Sequence, residues 1–450
     1  MNKAIEDFVR GLHLDAYLVG GAVRDELLGR ESKDADFVVP GVDYDGLHAA
    51  LEPHGKVEEL EVAGRRVGAR LHPRDKQLRL LAPAGIEFAP PRVERSTGPG
   101  RHDFEIVADP ELSIEADMGR RDFTVNAIAR RLETGEILDP FGGAADLKNK
   151  VLRTVRPRSF AEDPLRLVRG LRLVSQLGLE PDAETLAQMR TEAASVALVS
   201  GERIGGGLGA DGMGELSKLL LGAEPARALR LARDTGVLTA LLPEFEPAIG
   251  FEQSSERQHL PLDEHIFEVV QAAADADAPL AVRLGALFHD LGKPGSNGKH
   301  PERGAKLTTA AMRRLRYPTR LRTYVTRLVR AHAFALEDVD ELFARRFLRE
   351  HGDELAFDLV AHKEADLRGK KISQQDLDAV ARLRSLLEQE QSQPHRLTDL
   401  AIDGSDLIAL GFDEGPVLGR TLESLLDAVV DEPALNTRDR LLDRARAQRT

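Results

Sequence analysis

Two aspartates separated by a single residue, Asp34 and Asp36, stand near the end of the stretch LVGGAVRDELLGRESKDADFVV, residues 18–39. If KDADFVV is a strand, both carboxylates leave one face with Cα atoms about 6.6–6.8 Å apart, near enough to converge on one or two hard cations. Mg²⁺ suits such a place, because it takes a few carboxylates and completes its shell with phosphate oxygens. Upstream, YLVGG followed by AVRDELLG reads as strand, glycine turn and helix. Gly20 and Gly21 allow an unusual backbone and close approach of a ligand, and Gly29 can end the helix. Backbone N–H groups at a helix start attract phosphate, and Arg24 adds a charged fork. Asp25 reads as an acid that steadies the helix start. An anion site beside a cation site predicts phosphoryl transfer assisted by two metal ions.

The elements that must position these groups are short. Over roughly the first 150 residues, β-type runs (YLVGG, DADFVV, RVGARLH, RLLAP, IEFA, EIVA, ILDPF) alternate with helical segments and turn residues. After Val151 the pattern changes to Leu/Ala/Arg stretches of helical period, such as PLRLVRGLRLVSQLG, and keeps that character to the end. The expected class is α+β, a mixed-sheet head followed by helical domains. A chain of 450 residues accommodates two to four packed units, since single cores seldom grow past ~250 residues. Breaks around Pro243 to Pro261 and Gln391 to Pro394 divide the helical part.

With 30% charged and 42% apolar residues, and no run near the ~20 apolar residues of a membrane span, the composition excludes a membrane protein. The opening MNKAIEDFVRGLHLD lacks the apolar core of a signal peptide, so the expected location is the cytoplasm. Without cysteine there is neither a disulfide nor a thiolate metal ligand. The net charge of −13 argues against a polyanionic partner until its distribution is considered. Residues 148–178 hold eight basic side chains against Glu162 and Asp163, and residues 313–330 hold seven arginines and no acid. Either stretch can follow a phosphate backbone or form a solvated helix face.

Taken together, LVGGAVRDELLG and KDADFVV, then RRDFTVNAIA, LDPFGGAADLKNKVLRTV and FAEDPLRLVRGLRL, resemble the successive motifs of the bacterial class II tRNA nucleotidyltransferase and poly(A) polymerase family. The resemblance implies a nucleotidyltransferase (polymerase-beta-like) head over residues 1–152, a helical neck over 153–250, an HD-like helical body over 251–370 and a helical tail over 371–450. It implies that Asp34 and Asp36 bind Mg²⁺ and are catalytic, and that Gly20, Gly21 and Arg24 hold a triphosphate. Asp122 and Asn126 would contact ribose hydroxyls, with Arg120 or Arg121 near the phosphates; four apart, the two share a face if the segment is helical. Glu87 stands where related polymerases carry a third carboxylate.

Asp163 and Arg166 of EDPLR are implied as a protein template for the incoming base, and Arg169 joins the nucleotide-binding set. The chemistry agrees: cytosine and adenine both offer an exocyclic amino donor beside a ring-nitrogen acceptor, which suits a carboxylate paired with a guanidinium. Uracil and guanine present a ring N–H and a carbonyl instead. Asp163 before Pro164 is equally an orderly start for a helix. By resemblance alone, Asp139 with Gly142 and Gly143 forms a hinge between C and A selection. The chain departs from the family at ERIGGGLGADGMGELSKLL, where glycines replace a continuous helix; each costs about 1 kcal/mol relative to alanine, so a kink or loop is expected there.

A second constellation follows. GALFHDLGKPG carries His289 and Asp290, with His265 upstream, His300 and His332 downstream, and Asp366 in EADLRG as a candidate final ligand. This order resembles an HD-type metal-dependent phosphohydrolase domain, whose imidazoles and carboxylates would bind a transition metal such as Ni²⁺, Co²⁺ or Mn²⁺. The alternative is an HD fold kept as a helical scaffold. The expected activity is addition of C and A to the 3′ end of tRNA from CTP and ATP. CC-only, A-only and poly(A) addition share the same motifs, and an HD phosphohydrolase with a vestigial tRNA-binding head is the reading from another class.

Overall fold

The computed structural model describes residues 1–31, 35–62, 64–96, 104–206, 212–253, 259–296 and 298–448. The chain forms two compact units, Met1–Glu246 with Ala311–Pro318, and Pro247–Ala310 with Thr319–Thr450. The first opens with α1 (Lys3–Arg10), β1 (Tyr17–Val19), α2 (Gly21–Leu27), β2 (Asp36–Val38), α3 (Tyr44–Leu51), β3 (Gly55–Val62), β4 (Arg65–Pro73), α4 (Lys76–Leu81) and β5 (Ile86–Ala89). A separate two-stranded ladder, β6 (Arg92–Ser96) with β7 (Phe104–Ala108), precedes α5 (Ile114–Gly119), β8 (Ala129–Arg131) and β9 (Ile137–Leu138).

Seven strands join in the order β3-β4-β5-β2-β1-β8-β9. The sheet is mixed, because β2 and β5 run parallel while the other pairs are antiparallel. Successive residues of β1 and β2 point to opposite faces. Leu18 and Phe37 enter a core with Ile5, Val9, Leu47, Leu51, Ile86 and Phe88, whereas Tyr17, Val19 and Val38 meet Ile114, Met118 and Ala129 on the other side. Both faces of the central strands are therefore covered, and functional groups can emerge only at strand ends and in the turns that follow.

One expectation fails in this sheet, and one strand was not anticipated. RLLAP, read as a strand, lies partly in α4, because the side chain of Asp75 caps the N–H of Leu78 at 2.9 Å and starts a helix. The strand β3 was hidden by its charged residues, which pair along β4 in a ladder broken once by a bulge.

The remainder of the first unit is helical, as the periodicity predicts. It comprises α6 (Gly143–Lys148), the short β10 (Val151–Leu152), α7 (Ser159–Glu162), α8 (Leu165–Leu177), β11 (Glu180–Pro181), α9 (Ala183–Glu192), α10 (Gly201–Ile204), α11 (Glu215–Leu220), α12 (Pro225–Asp234) and α13 (Val237–Leu241). The Gly-rich interruption is real: α10 ends at Ile204 and α11 begins at Glu215. The N–H of Gly214 reaches the carbonyl of Gly205 at 3.1 Å, which also accepts the Ser217 hydroxyl at 2.8 Å.

The later helices are α14 (Leu262–Asp275), α15 (Leu280–Phe288), α16 (His300–Arg314), α17 (Thr319–Ala331), α18 (Glu341–His351), α19 (Asp353–Arg368), α20 (Gln374–Glu390), α21 (Gly404–Ala409), α22 (Pro416–Asp431) and α23 (Arg438–Gln448). The last three close a small core of Leu407, Leu425, Val429 and Leu441. Among the described residues no helix is long and apolar enough to cross a membrane.

Candidate functional site

The turn before α2 uses a backbone that favours glycine. Gly20 has φ +73°, and a Cβ there would lie 2.8 Å from Nη1 of Arg121, so the guanidinium of Arg121 rests against the turn. Arg120 and Arg121 both reach Asp117 of α5, at 2.7 Å and 3.3 Å. Burial works against the Asp117 charge, but the two arginines outweigh it and hold its carboxyl below the usual range.

Arg24 is buried and donates to Oδ1 of Asn126 at 2.7 Å and to Oδ1 of Asp25 at 2.8 Å. Asp25 therefore fixes the arginine fork; it lies past the first turn of α2 and does not steady the helix start. Asn126 donates to Oδ1 of Asp122 at 3.0 Å, and that oxygen also accepts the N–H of Phe123 at 2.8 Å. The helix that would put these two side chains on one face is absent. Only Thr124–Asn126 form a single 3₁₀ turn after an extended Phe123, yet that turn folds Asn126 back onto Asp122.

Oδ2 of Asp122 faces Nε of Arg169 on α8 at 3.1 Å. Glu215, the first residue of α11, stands 3.8 Å from Arg169 and 2.6 Å from Arg172. A continuous polar chain thus runs from Asp25 through Arg24, Asn126, Asp122 and Arg169 to Glu215. Burial raises Asp122, but Arg169, the Asn126 amide and Arg166 more than offset it and keep the carboxyl ionised below the ordinary value.

Asp163 and Arg166 are both buried and both engaged. Oδ1 of Asp163 accepts the N–H of Leu165 at 3.1 Å, and its two oxygens meet the Arg203 guanidinium at 3.3 Å and 2.9 Å. Arg166 donates to the Ser159 hydroxyl at 2.9 Å and to the carbonyl of Arg120 at 2.8 Å. The pair therefore starts α8 and braces it at the same time. Asp139 accepts the N–H groups of Gly143 and Ala144 at 2.6 Å and 2.9 Å and so caps α6, while Gly143 leaves no room for a Cβ, which would fall 2.0 Å from the Thr124 carbonyl oxygen.

Asp36 is exposed at the start of β2 and in register with Glu87 on the parallel β5. Glu87 is held by Arg70 at 2.5 Å. Burial would lower the Arg70 pKa, but Glu87, Glu58 and Asp36 together raise it. Asp34 lies outside the described residues. An exposed carboxylate at a strand start, with a second acid on the neighbouring strand, offers the hard oxygen donors that Mg²⁺ takes.

In the second unit the histidines converge as the HD-type resemblance implies. His265 on α14 and His289 at the end of α15 bring their Nε2 atoms within 3.3 Å. His265 lies 3.2 Å from Asp366 of α19, and His289 lies 3.1 Å from Asp290. His300 and His332 approach Asp290 at 3.5 Å and 3.6 Å. The Nδ1 atoms of His265, His289 and His332 meet the carbonyls of Gly369, Ala286 and Val329 at 2.9, 2.8 and 2.6 Å, which turns each Nε2 inward. Lys293 and Lys370 sit 2.5 Å from Asp290 and Asp366.

Burial opposes charge on His289, yet the carboxylates of Asp290 and Asp366 raise its pKa to about 9. Those two carboxyls are held well below their ordinary range despite their burial, chiefly by the surrounding imidazoles. This donor set of imidazoles and carboxylates suits a divalent transition metal. Sequence reasoning missed three members of these sites. His362, fully buried and 5.0 Å ring to ring from His289, could have been found from its four-residue spacing to Asp366 on one helix. Arg203 and Glu215 carried no signal near their partners in the sequence.

The Poly A polymerase head domain family matches residues 16–153, a family described as "Probable RNA and SrmB- binding site of polymerase A" matches 178–249, and tRNA nucleotidyltransferase domain 2 matches 305–445. The "Multifunctional CCA protein" of Xanthomonas campestris is 33% identical over 437 residues, 92% of this chain and 97% of that relative. The protein of the same name from Cupriavidus necator is 33% identical over 92% of this chain and 98% of its own length. In three dimensions the chain is similar to the CCA-adding enzyme of Bacillus stearothermophilus in complex with CTP, with TM-score 0.70, 24% identity and coverage of 99% of this chain and 96% of that one. On these matches the chain belongs to the bacterial class II CCA-adding enzyme family.

Proposed function

We propose that the chain is a template-independent nucleotidyltransferase that adds C and A to the 3′ end of tRNA from CTP and ATP. One observation carries this reading from the geometry: the 2.7 Å bond from Arg24 to Asn126 joins the phosphate turn to the ribose motif, so one nucleotide can span both. In the mechanism the terminal ribose hydroxyl gives up its proton and attacks the α-phosphorus, the bond to the bridging oxygen breaks, and pyrophosphate leaves. Asp34 and Asp36 would hold Mg²⁺, which when bound screens phosphate charge and eases ionisation of the hydroxyl. Gly20, Gly21, Arg24 and Arg121 take the triphosphate, and Asp122 with Asn126 orients the sugar.

Asp163 and Arg166 read the base edge, with Arg169 behind them. Because both hold protein partners, base reading requires them to share those partners with the nucleotide. The divisions at residues 152, 250 and 370 are part of this reading, as is a cytoplasmic location, where tRNA is matured. The test offers three tRNA transcripts, ending at the discriminator base, at CC and at CCA, with each labelled nucleotide in turn. The expected result is extension of the first two to CCA and none of the third. Extension stopping at CC, extension of the CC transcript alone, or A runs on all three would replace this reading by a CC-adding, A-adding or poly(A) activity.

A second reading has its own support in the convergent Nε2 atoms of His265, His289 and His332. We infer a phosphohydrolase activity in the body, with a divalent transition metal supplying Lewis acidity toward a phosphate ester when bound. Chelation should abolish hydrolysis of a generic phosphate ester, and Ni²⁺ or Co²⁺ should restore it; a rate unchanged by either treatment argues for a scaffold only.

A further inference from the structure

The strand register sets four side chains in one row across the sheet of the head. Glu58 on β3 stands opposite Arg70 on β4, Arg70 opposite Glu87 on β5, and Glu87 beside Asp36 on β2. Residues paired in this way leave the same face of a sheet. Their neighbours along the strands agree, since Ala69, Leu71, Phe88 and Phe37 all turn to the core on the other side. The row therefore carries three acids and one arginine, and the arginine is next to the acid that adjoins Asp36.

Arg70 spends its donors unevenly. Nε and Nη2 both donate to Oε1 of Glu87, at 3.0 Å and 2.5 Å, while Nη1 lies 3.7 Å from Glu58. Glu58 also turns its Oε2 to His72 at 3.1 Å, which leaves Glu87 as the principal partner of Arg70. The stem of Arg70 is seated too. Gly85 has φ +94°, and a Cβ there would fall 2.7 Å from Cγ and 2.9 Å from Cδ of Arg70, so only a glycine gives that stem its path.

A carboxylate oxygen that accepts two bonds from a guanidinium has less lone-pair capacity and less charge to give a cation. An ion drawn to Asp36 must compete with Arg70 for the acid on the next strand, and it meets a fixed positive charge two strands away.

We propose that Arg70 is a positioning residue of the head, which holds Glu87 back from the divalent ion and so sets how tightly that ion binds. The proposal rests on the reading of Asp34 and Asp36 as Mg²⁺ ligands and concerns the affinity for the ion. Released from the arginine, Glu87 adds a third carboxylate to the hard oxygen donors that Mg²⁺ and Mn²⁺ take.

The test is a Mn²⁺ titration of the full chain, with free Mn²⁺ counted by its electron paramagnetic resonance signal. Binding to the head is the part lost when Asp34→Ala and Asp36→Ala are introduced, so ions held elsewhere on the chain cancel. Arg70→Met, which keeps a stem against Gly85, should tighten that part about fivefold, the scale of a half-exposed ion pair. Arg70→Lys keeps the charge, loses the planar fork and should give part of the gain. Glu87→Gln should weaken binding far more when combined with Arg70→Met than when introduced alone. The Mg²⁺ concentration that half-saturates CTP addition should fall in Arg70→Met by a similar factor, and circular dichroism checks that each variant folds. An affinity unaltered by Arg70→Met would overturn the proposal. So would an equal gain with and without Glu87→Gln, which would make Arg70 a distant charge only. If no Mn²⁺ binding depends on Asp34 and Asp36, the metal reading of the head itself fails, and the proposal with it.

Discussion

Replacing Asp34 and Asp36 together by alanine is expected to lower nucleotide addition by at least about 10³-fold. An ion at a transferring phosphoryl group supplies several kcal/mol of charge stabilisation, and each 1.36 kcal/mol removed costs about tenfold in rate. Asp36 is exposed at the edge of its strand, so its removal strips no core contact and the melting temperature should hold. Single-turnover incorporation of labelled CTP into a tRNA transcript, read alongside that temperature, separates a lost ion site from a lost fold. Incorporation within about tenfold of the unaltered protein would refute the assignment of these two aspartates.

Asp122→Ala should damage both stability and activity. Asp122 is 4% exposed, accepts from the Asn126 amide and the Phe123 N–H, and faces the Arg169 guanidinium at 3.1 Å. Removing one partner of a buried pair costs ~3–5 kcal/mol. The Arg169 side chain is 36% exposed and can rehydrate, which places the expected loss near the low end, about 3 kcal/mol. Asp122→Asn keeps the shape and should recover part of that loss.

The sign of the acid dependence follows from the depressed carboxyl. Its contribution is complete above the unfolded value of about 4 and disappears as pH falls through the lower folded value. Denaturant titrations at pH 7 and pH 3 check this: the gap between the native protein and the alanine variant should shrink at the lower pH. A constant gap would assign the loss to packing and not to charge.

The candidate site residues were more legible in the sequence than the bonds that hold them. Gly20, Arg24, Asp122 and Asn126 were legible as candidates because each motif is local, and Arg24, Asn126 and Asp122 do meet. The convergence of Asp122 and Asn126 did not need the helix on which their spacing was weighed, since a single tight turn brings residues four apart together as well. The role of Asp25 was misjudged because α2 already begins at Gly21, which puts Asp25 past the first turn, where it holds Arg24. Arg203 reaches Asp163 from forty positions away, and no periodicity reports such a contact. In the sheet, charged alternation concealed β3, and one capping aspartate redirected RLLAP into a helix.

The bond that ties Gly214 to Gly205 has an evolutionary corollary. It fastens Gly205 to Gly214, the two ends of the glycine-rich stretch, and so sets the spacing between α10 and α11. Closing a longer segment between fixed ends costs only about 0.6 kcal/mol for each doubling. Descendants of this gene can therefore lengthen or trim that stretch cheaply, whereas Ser217 and Glu215, anchored just beyond the knot, keep their places.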